Sequence, residues 1–194
     1  MAPVSTAERR DLLNRLNELA RNDLTALWDT ASQADDFVGA ITDAYPQLVD
    51  TYSQLAGQLA ASWFEQADPG SDYQAKVADP PDEAQIKTST DWALNGEGDA
   101  GLTRLEGNLQ RAVYNGARDT TLLNVAETGG SWLREAEPDA CDFCLGLEGE
   151  YASDAAAGFE AHDHCQCMAV ENRAAETSAA PQSVDSVDTF TKKY

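Results

Sequence analysis

The chain has 194 residues, which fits one domain or one domain with an appendage and leaves room for a hydrophobic core that needs no metal to form. Asp and Glu number 34 against 13 Lys and Arg, a net charge of −21. This excess repels nucleic-acid phosphates and anionic membranes, so direct DNA binding is not expected; the acidity serves solubility first and, in a sharper reading, docking on a basic partner.

The N-terminus opens on Ser5-Thr6-Ala7-Glu8, a capping box that predicts a helix with Ser5 as N-cap. Leu12, Leu13, Leu16, Leu19, Ala20, Leu24, Leu27 and Trp28 recur at helical spacing and are expected to form its apolar face. A second helix should start near Asp35 and carry Phe37, Val38 and Ile41. Pro46 is expected to interrupt it or to open the next one, because proline fits a first turn and breaks an interior one. From there Leu48, Val49, Tyr52, Leu55, Ala56, Leu59, Ala60, Trp63 and Phe64 keep a 3.6-residue period. Asp68-Pro69-Gly70-Ser71-Asp72 ends that helix, and the polar stretch to Pro80-Pro81 reads as a loop.

A helix beginning around Asp82-Glu83 includes Ile86 and Trp92 and stops at Gly96. The next uses Asp99 as N-cap and runs to about Thr128, burying Leu102, Leu105, Leu109, Ala112, Val113, Ala117 and Leu122. Arg104, Arg111 and Arg118 lie a heptad apart near one face; they are expected to pair with the surplus acids or, alternatively, to face a partner. Gly129-Gly130 closes the helical part, and Ser131–Arg134 and Cys167–Val170 are candidate short strands. The predicted fold is mainly α, an N-terminal helical bundle over 1–128 with a small C-terminal α+β unit over 129–170 stapled through its Cys and His residues. Residues 171–194 turn polar and read as an extended tail.

All four cysteines fall between Cys141 and Cys167. No targeting segment opens the sequence, and no stretch approaches the roughly 18 apolar residues of a membrane span, so a reducing cytosol is the expected setting. There the clustering points to metal binding ahead of disulfides or free thiols. Cys141-Asp142-Phe143-Cys144 places two thiolates on one turn, and His162-Asp163-His164-Cys165-Gln166-Cys167 supplies a second knuckle. Two knuckles across a loop are the plan of a structural zinc site. Six candidates compete for four places: Cys141, Cys144 and Cys165 come first, His162 next, Cys167 competes with it, and His164 comes last. Four protein ligands would leave no position for an activated water, making zinc a structural cofactor. Asp142, Glu148, Glu150, Glu160 and Asp163 could orient the histidines or simply be solvated.

These knuckles resemble the end of the Mu F-like minor head proteins of tailed bacteriophages. Tyr52–Ala56, Ala61–Phe64, Arg111–Thr120 and Trp132-Leu133-Arg134 extend the resemblance over about residues 8–170, toward minor capsid proteins of actinobacteriophages. The resemblance implies a structural minor capsid protein near the portal, on the inner side of the head. Its partners would be the portal protein, the major capsid protein or both, with multiple copies around the portal. It would be made in the host cytoplasm and end in the virion.

Some relatives are labelled capsid maturation proteases. Here the only two histidines lie inside the metal cluster, so a Cys–His or Ser–His mechanism would draw on the metal ligands, while Ser–Lys chemistry stays open. No catalytic residue is assigned. Thr88-Ser89-Thr90 and Glu148-Gly149-Glu150 faintly resemble ADP-ribosyltransferase elements but lack their strand context. A nucleic-acid-binding zinc knuckle would need basic flanks where this sequence has acids.

Overall fold

The computed structural model describes residues 3–96, 100–153, 159, 161–162 and 164–172. Among these residues it has five helices and one three-stranded sheet. In chain order they are α1 (Thr6–Ala31), α2 (Phe37–Ala67), α3 (Glu83–Leu94), α4 (Ala100–Thr128), β1 (Ser131–Glu135), α5 (Asp142–Gly146), β2 (Gly149–Ala152) and β3 (Met168–Asn172). The sheet is antiparallel in the order β2-β1-β3, with Trp132 opposite Tyr151 on one side and Glu171 on the other. The fold is therefore mainly helical with a small sheet after the helices. The sheet has one strand more than the two expected.

Helix α1 starts as its capping box dictates. The Ser5 hydroxyl accepts the Glu8 backbone N–H, and the Glu8 carboxylate accepts the Ser5 backbone N–H at 2.9 Å. Leu13, Ala20, Leu24 and Ala31 form its buried stripe. Leu12 and Leu19 do not belong to it; Leu19 is 57% exposed. Each precedes a buried residue by one position, and one position is about 100° around a helix. Leu55, one position before the buried Ala56, is exposed on α2 for the same reason, and Val38 is exposed in the first turn of that helix.

Pro46 corrects the expectation of a break, because α2 runs through it without interruption. Its ring removes one backbone donor, but Ile41, Tyr45, Val49 and Tyr52 stay on one buried face across it. The Tyr45 hydroxyl donates to the Leu105 carbonyl at 3.0 Å, tying this turn to α4. Packing on both sides thus outweighs one lost hydrogen bond. Farther along, α2 meets α4 at small residues. Gly57 faces Val77 and Thr120, and Gly116 lies directly against the Ser53 carbonyl.

Residues 69–82 form no regular element but are strapped to α4. Asn124 accepts the Lys76 N–H and donates back to the Lys76 carbonyl, both at 2.8 Å, and Thr120 accepts the Ala78 N–H. Helix α3, capped by Asp82, packs on α2 and α4. Its Trp92 is exposed, with the Arg104 guanidinium 4.4 Å from the ring centre. The proposed cap Asp99 lies outside the described residues.

The sheet is fastened to the helices by charge and by apolar packing. Arg9 of α1 grips Glu171 of β3 with two hydrogen bonds of 2.7 and 2.8 Å, both side chains buried. Met168 enters the main core among α1, α2 and α4. A second core gathers Phe64, Val125, Trp132, Cys144, Phe159, Cys165, Cys167 and Ala169. Glu171 and Asn172, expected to begin a tail, instead complete β3. The rest of that expected tail lies outside the described residues.

A methyl group at Gly116 would clash with backbone, which cannot rotate away. Overpacking of this kind costs about 1–3 kcal/mol. Calorimetry should therefore show Gly116→Ala lowering Tm by roughly 2–10 °C. Gly70→Ala, whose new methyl meets only Asp68 at an ordinary contact distance, should leave Tm unchanged. An unchanged Tm for Gly116→Ala would contradict the close crossing.

Candidate metal centre

Cys141 is the N-cap residue of α5, in extended backbone, and Cys144 lies one turn on. The Leu145 N–H closes that turn on the Cys141 carbonyl at 3.0 Å. Spacing of three therefore puts both sulfurs on one side, Cys141 exposed and Cys144 fully buried. The second knuckle enters just before β3. There the Cys165 N–H bonds the His162 carbonyl, and His164 between them has φ of +65°. This left-handed turn sends Cys165 and Cys167 inward and His164 away. His164 Nδ1 instead lies 3.1 Å from Gln110 Oε1 on α4.

The five remaining donors converge. His162 Nε2 is 3.2 Å from Cys141 Sγ and 3.3 Å from Cys144 Sγ, and Cys144 Sγ is 3.8 Å from Cys165 Sγ. Cys141, Cys144 and His162 form one compact triad, and Cys144, Cys165 and Cys167 form another, with Cys144 in both. This cluster could hold a metal ion. A tetrahedral zinc with bonds of about 2.3 Å to sulfur and about 2.1 Å to nitrogen has edges of about 3.8 Å between sulfurs and about 3.6 Å between sulfur and nitrogen. The sulfur–sulfur distance matches, and the two sulfur–nitrogen distances fall slightly inside. The donor types suit the ion, and each triad offers three corners of its sphere; the triads meet only at Cys144, so Cys141 and His162 lie farther from Cys165 and Cys167 than the edges of one tetrahedron.

Two arginines sit beneath the cluster. Arg118 of α4 is 1% exposed. It donates to the Cys167 carbonyl from Nε and Nη2, at 2.9 and 2.8 Å, and from Nη2 to the Cys165 carbonyl at 2.9 Å. The same Nη2 is 3.5 Å from Cys165 Sγ. Arg134 of β1 is 4% exposed, with Nη2 4.0 Å from Cys144 Sγ. Both guanidiniums lie against the Phe159 ring, 4.5 and 4.1 Å from its centre.

These surroundings divide the thiols. A hydrogen bond from Cys167, with Arg118 nearby, pushes Cys165 down to about 4. The Cys144 backbone N–H, helped by His162, holds Cys141 below the usual thiol range. Burial pushes Cys144 up to about 11. A metal would replace such protons, so its binding weakens as pH falls.

For Arg118 and Arg104 the expected pairing with acids is corrected here. Arg118 is the floor of the cluster, Arg104 lies on Trp92 and donates to its carbonyl, and Arg111 donates to Asn108. Sequence reasoning also passed over Arg134 and Phe159. A charged residue within the buried stripe of α4, directly after Ala117, was the available signal for Arg118.

Among the candidate supporting acids, Glu148 accepts the Ala136 N–H and Glu150 accepts the Ser131 hydroxyl. Asp142 opens α5, while Glu160 and Asp163 lie outside the described residues. Glu137, which was not considered, accepts the Gln166 N–H between the two inner cysteines. Thr88, Ser89 and Thr90 bond carbonyls of their own helix α3, so those hydroxyls and the Glu pair serve local structure.

Residues 2–194 match the family described as VG15 protein. The chain belongs to this family of phage proteins. No curated protein matches it, and no solved structure matches it. Among the described residues, no helix is long and apolar enough to cross a membrane.

Because both triads share Cys144, Cys144→Ser should weaken metal binding more than any other single change. Competition with a chromophoric chelator measures this. His164→Ala should bind metal as the unaltered chain does. Equal losses in the two variants would contradict the arrangement.

Proposed function

We propose that this member of a phage protein family is a structural minor capsid protein whose C-terminal unit is stapled by zinc. The observation that carries the metal half of this reading is the convergence of Cys141, Cys144, His162, Cys165 and Cys167. Thiolates with imidazole are the donors zinc prefers, and four of them close its sphere. Cys144, Cys165 and Cys167 also belong to the second core, so a bound ion would cross-link the knuckles to β1 and α4. Its work would be folding energy and not activation of water.

The capsid half rests on the family and on the resemblance of the knuckles to Mu F-like head proteins. By this reading the chain sits inside the head near the portal, in several copies, against the portal protein, the major capsid protein or both. A net charge of −21 favours a basic protein surface over packaged DNA. The alternative is a capsid maturation protease. Both histidines have other engagements, His162 with two sulfurs and His164 with Gln110, which disfavours a histidine-dependent nucleophile.

Quantitative mass spectrometry of purified virions, separated into heads and tails, tests the assignment. The chain should copurify with portal-containing heads. Its presence only in tails, or only in infected-cell lysate, would overturn the capsid reading. Co-expression with the major capsid protein should leave that protein uncut; cleavage that depends on this chain would favour the protease.

A further inference from the structure

The two buried arginines fix how much negative charge the cluster must carry. Arg118 and Arg134 are 1% and 4% exposed, and among the described residues neither is joined to a carboxylate. Arg118 reaches two carbonyls, Asn115 and a sulfur. Among the described residues Arg134 hydrogen-bonds only the Cys144 sulfur, its guanidinium lies on the Phe159 ring, and its Nε has no hydrogen-bond partner. Buried cations without a counter-charge are strongly disfavoured. Cysteine sulfurs lie 3.5 Å from Arg118 and 4.0 Å from Arg134, and the Asp119 carboxylate also feels the Arg118 charge.

A divalent ion with three thiolates and a neutral imidazole carries one negative charge. With four thiolates it carries two, which balances two guanidiniums. Each ligand set draws on both triads and requires them to close around one ion, so geometry alone leaves the choice between His162 and Cys167. Charge decides it, and burial agrees: Cys167 is fully buried beside Arg118, while His162 is exposed. On the assumption that the cluster binds metal, we infer that Cys141, Cys144, Cys165 and Cys167 hold the ion as four thiolates. Arg118 and Arg134 are their buried counter-ions. His162 stands outside the sphere, its Nε2–H shared between the Cys141 and Cys144 sulfurs at 3.2 and 3.3 Å. In this arrangement Arg118 and Arg134 are positioning residues that act on the metal through its ligands.

Cobalt(II) titrated into the reduced full chain reads this directly, because the sulfur-to-cobalt charge-transfer band grows with the number of thiolates. His162→Ala changes an exposed side chain and should retain one cobalt per chain with the full band. Cys167→Ser should lose about one quarter of the band. Arg134→Met should weaken cobalt binding by about 10- to 100-fold, as loss of an outer partner does, and Arg134→Lys should restore most of it by restoring charge. A His162→Ala variant with an altered ligand-field spectrum, beside a Cys167→Ser variant with an unchanged band, would overturn the four-thiolate set while leaving the metal reading intact. Arg134→Lys behaving like Arg134→Met would overturn the counter-ion role. No cobalt band in the unaltered chain would overturn the metal reading itself.

Discussion

The contact on which the C-terminal unit depends is the one between Arg118 and the Cys165–Cys167 segment. The guanidinium rises from the buried face of α4 and takes up the carbonyls of both cysteines, leaving one N–H near the Cys165 sulfur. Without it, two carbonyls would be buried unpaired next to four sulfurs, a costly arrangement in an apolar core. With it, the second knuckle is held in place by a helix that belongs to the main bundle. The knuckles are therefore an extension of the bundle and not a bead on a string. Phe64 of α2 and Val125 of α4 say the same from the apolar side, since both pack within the second core.

Two further arginines repeat the device. Arg9 binds Glu171 across the α1–β3 junction, and Arg10 donates to the carbonyls of Ala136, ahead of the first knuckle, and of Gln166, between the two inner cysteines. In a chain with only 13 basic residues, placing three of them against this unit, with Arg134 inside it, is a heavy commitment. It leaves the outer surface overwhelmingly acidic. This suits a protein whose partners are other proteins, as the capsid reading requires, better than one that must approach DNA.

Much of this was legible in the sequence, and what was not has physical reasons. The helix cap at Ser5, the helix start around Asp82 and the helix end at Thr128 follow from local chemistry, which the sequence states directly. The cysteine and histidine spacing announced the cluster because two knuckles have few other uses. Pro46 misled because propensity is local, whereas the α2 face from Ile41 to Tyr52 is held by tertiary packing. Strand β2 was missed because its four residues, Gly149–Ala152, are stabilised by pairing with β1 rather than by their own pattern. Arg118 was misread because heptad spacing with Arg104 and Arg111 suggested a common role. Seven residues are only near two turns, and burial separates the three: Arg104 and Arg111 are partly exposed on the α3 side, while Arg118 points under the sheet.

The central claim is that these sulfurs hold a metal that keeps the sheet on the bundle. Elemental analysis of the purified chain, with thiol titration in the native state, tests it most directly. The account predicts one zinc ion per chain and thiols that react only after a chelator removes it. No bound metal, with four thiols freely reactive or joined in disulfides, would contradict it.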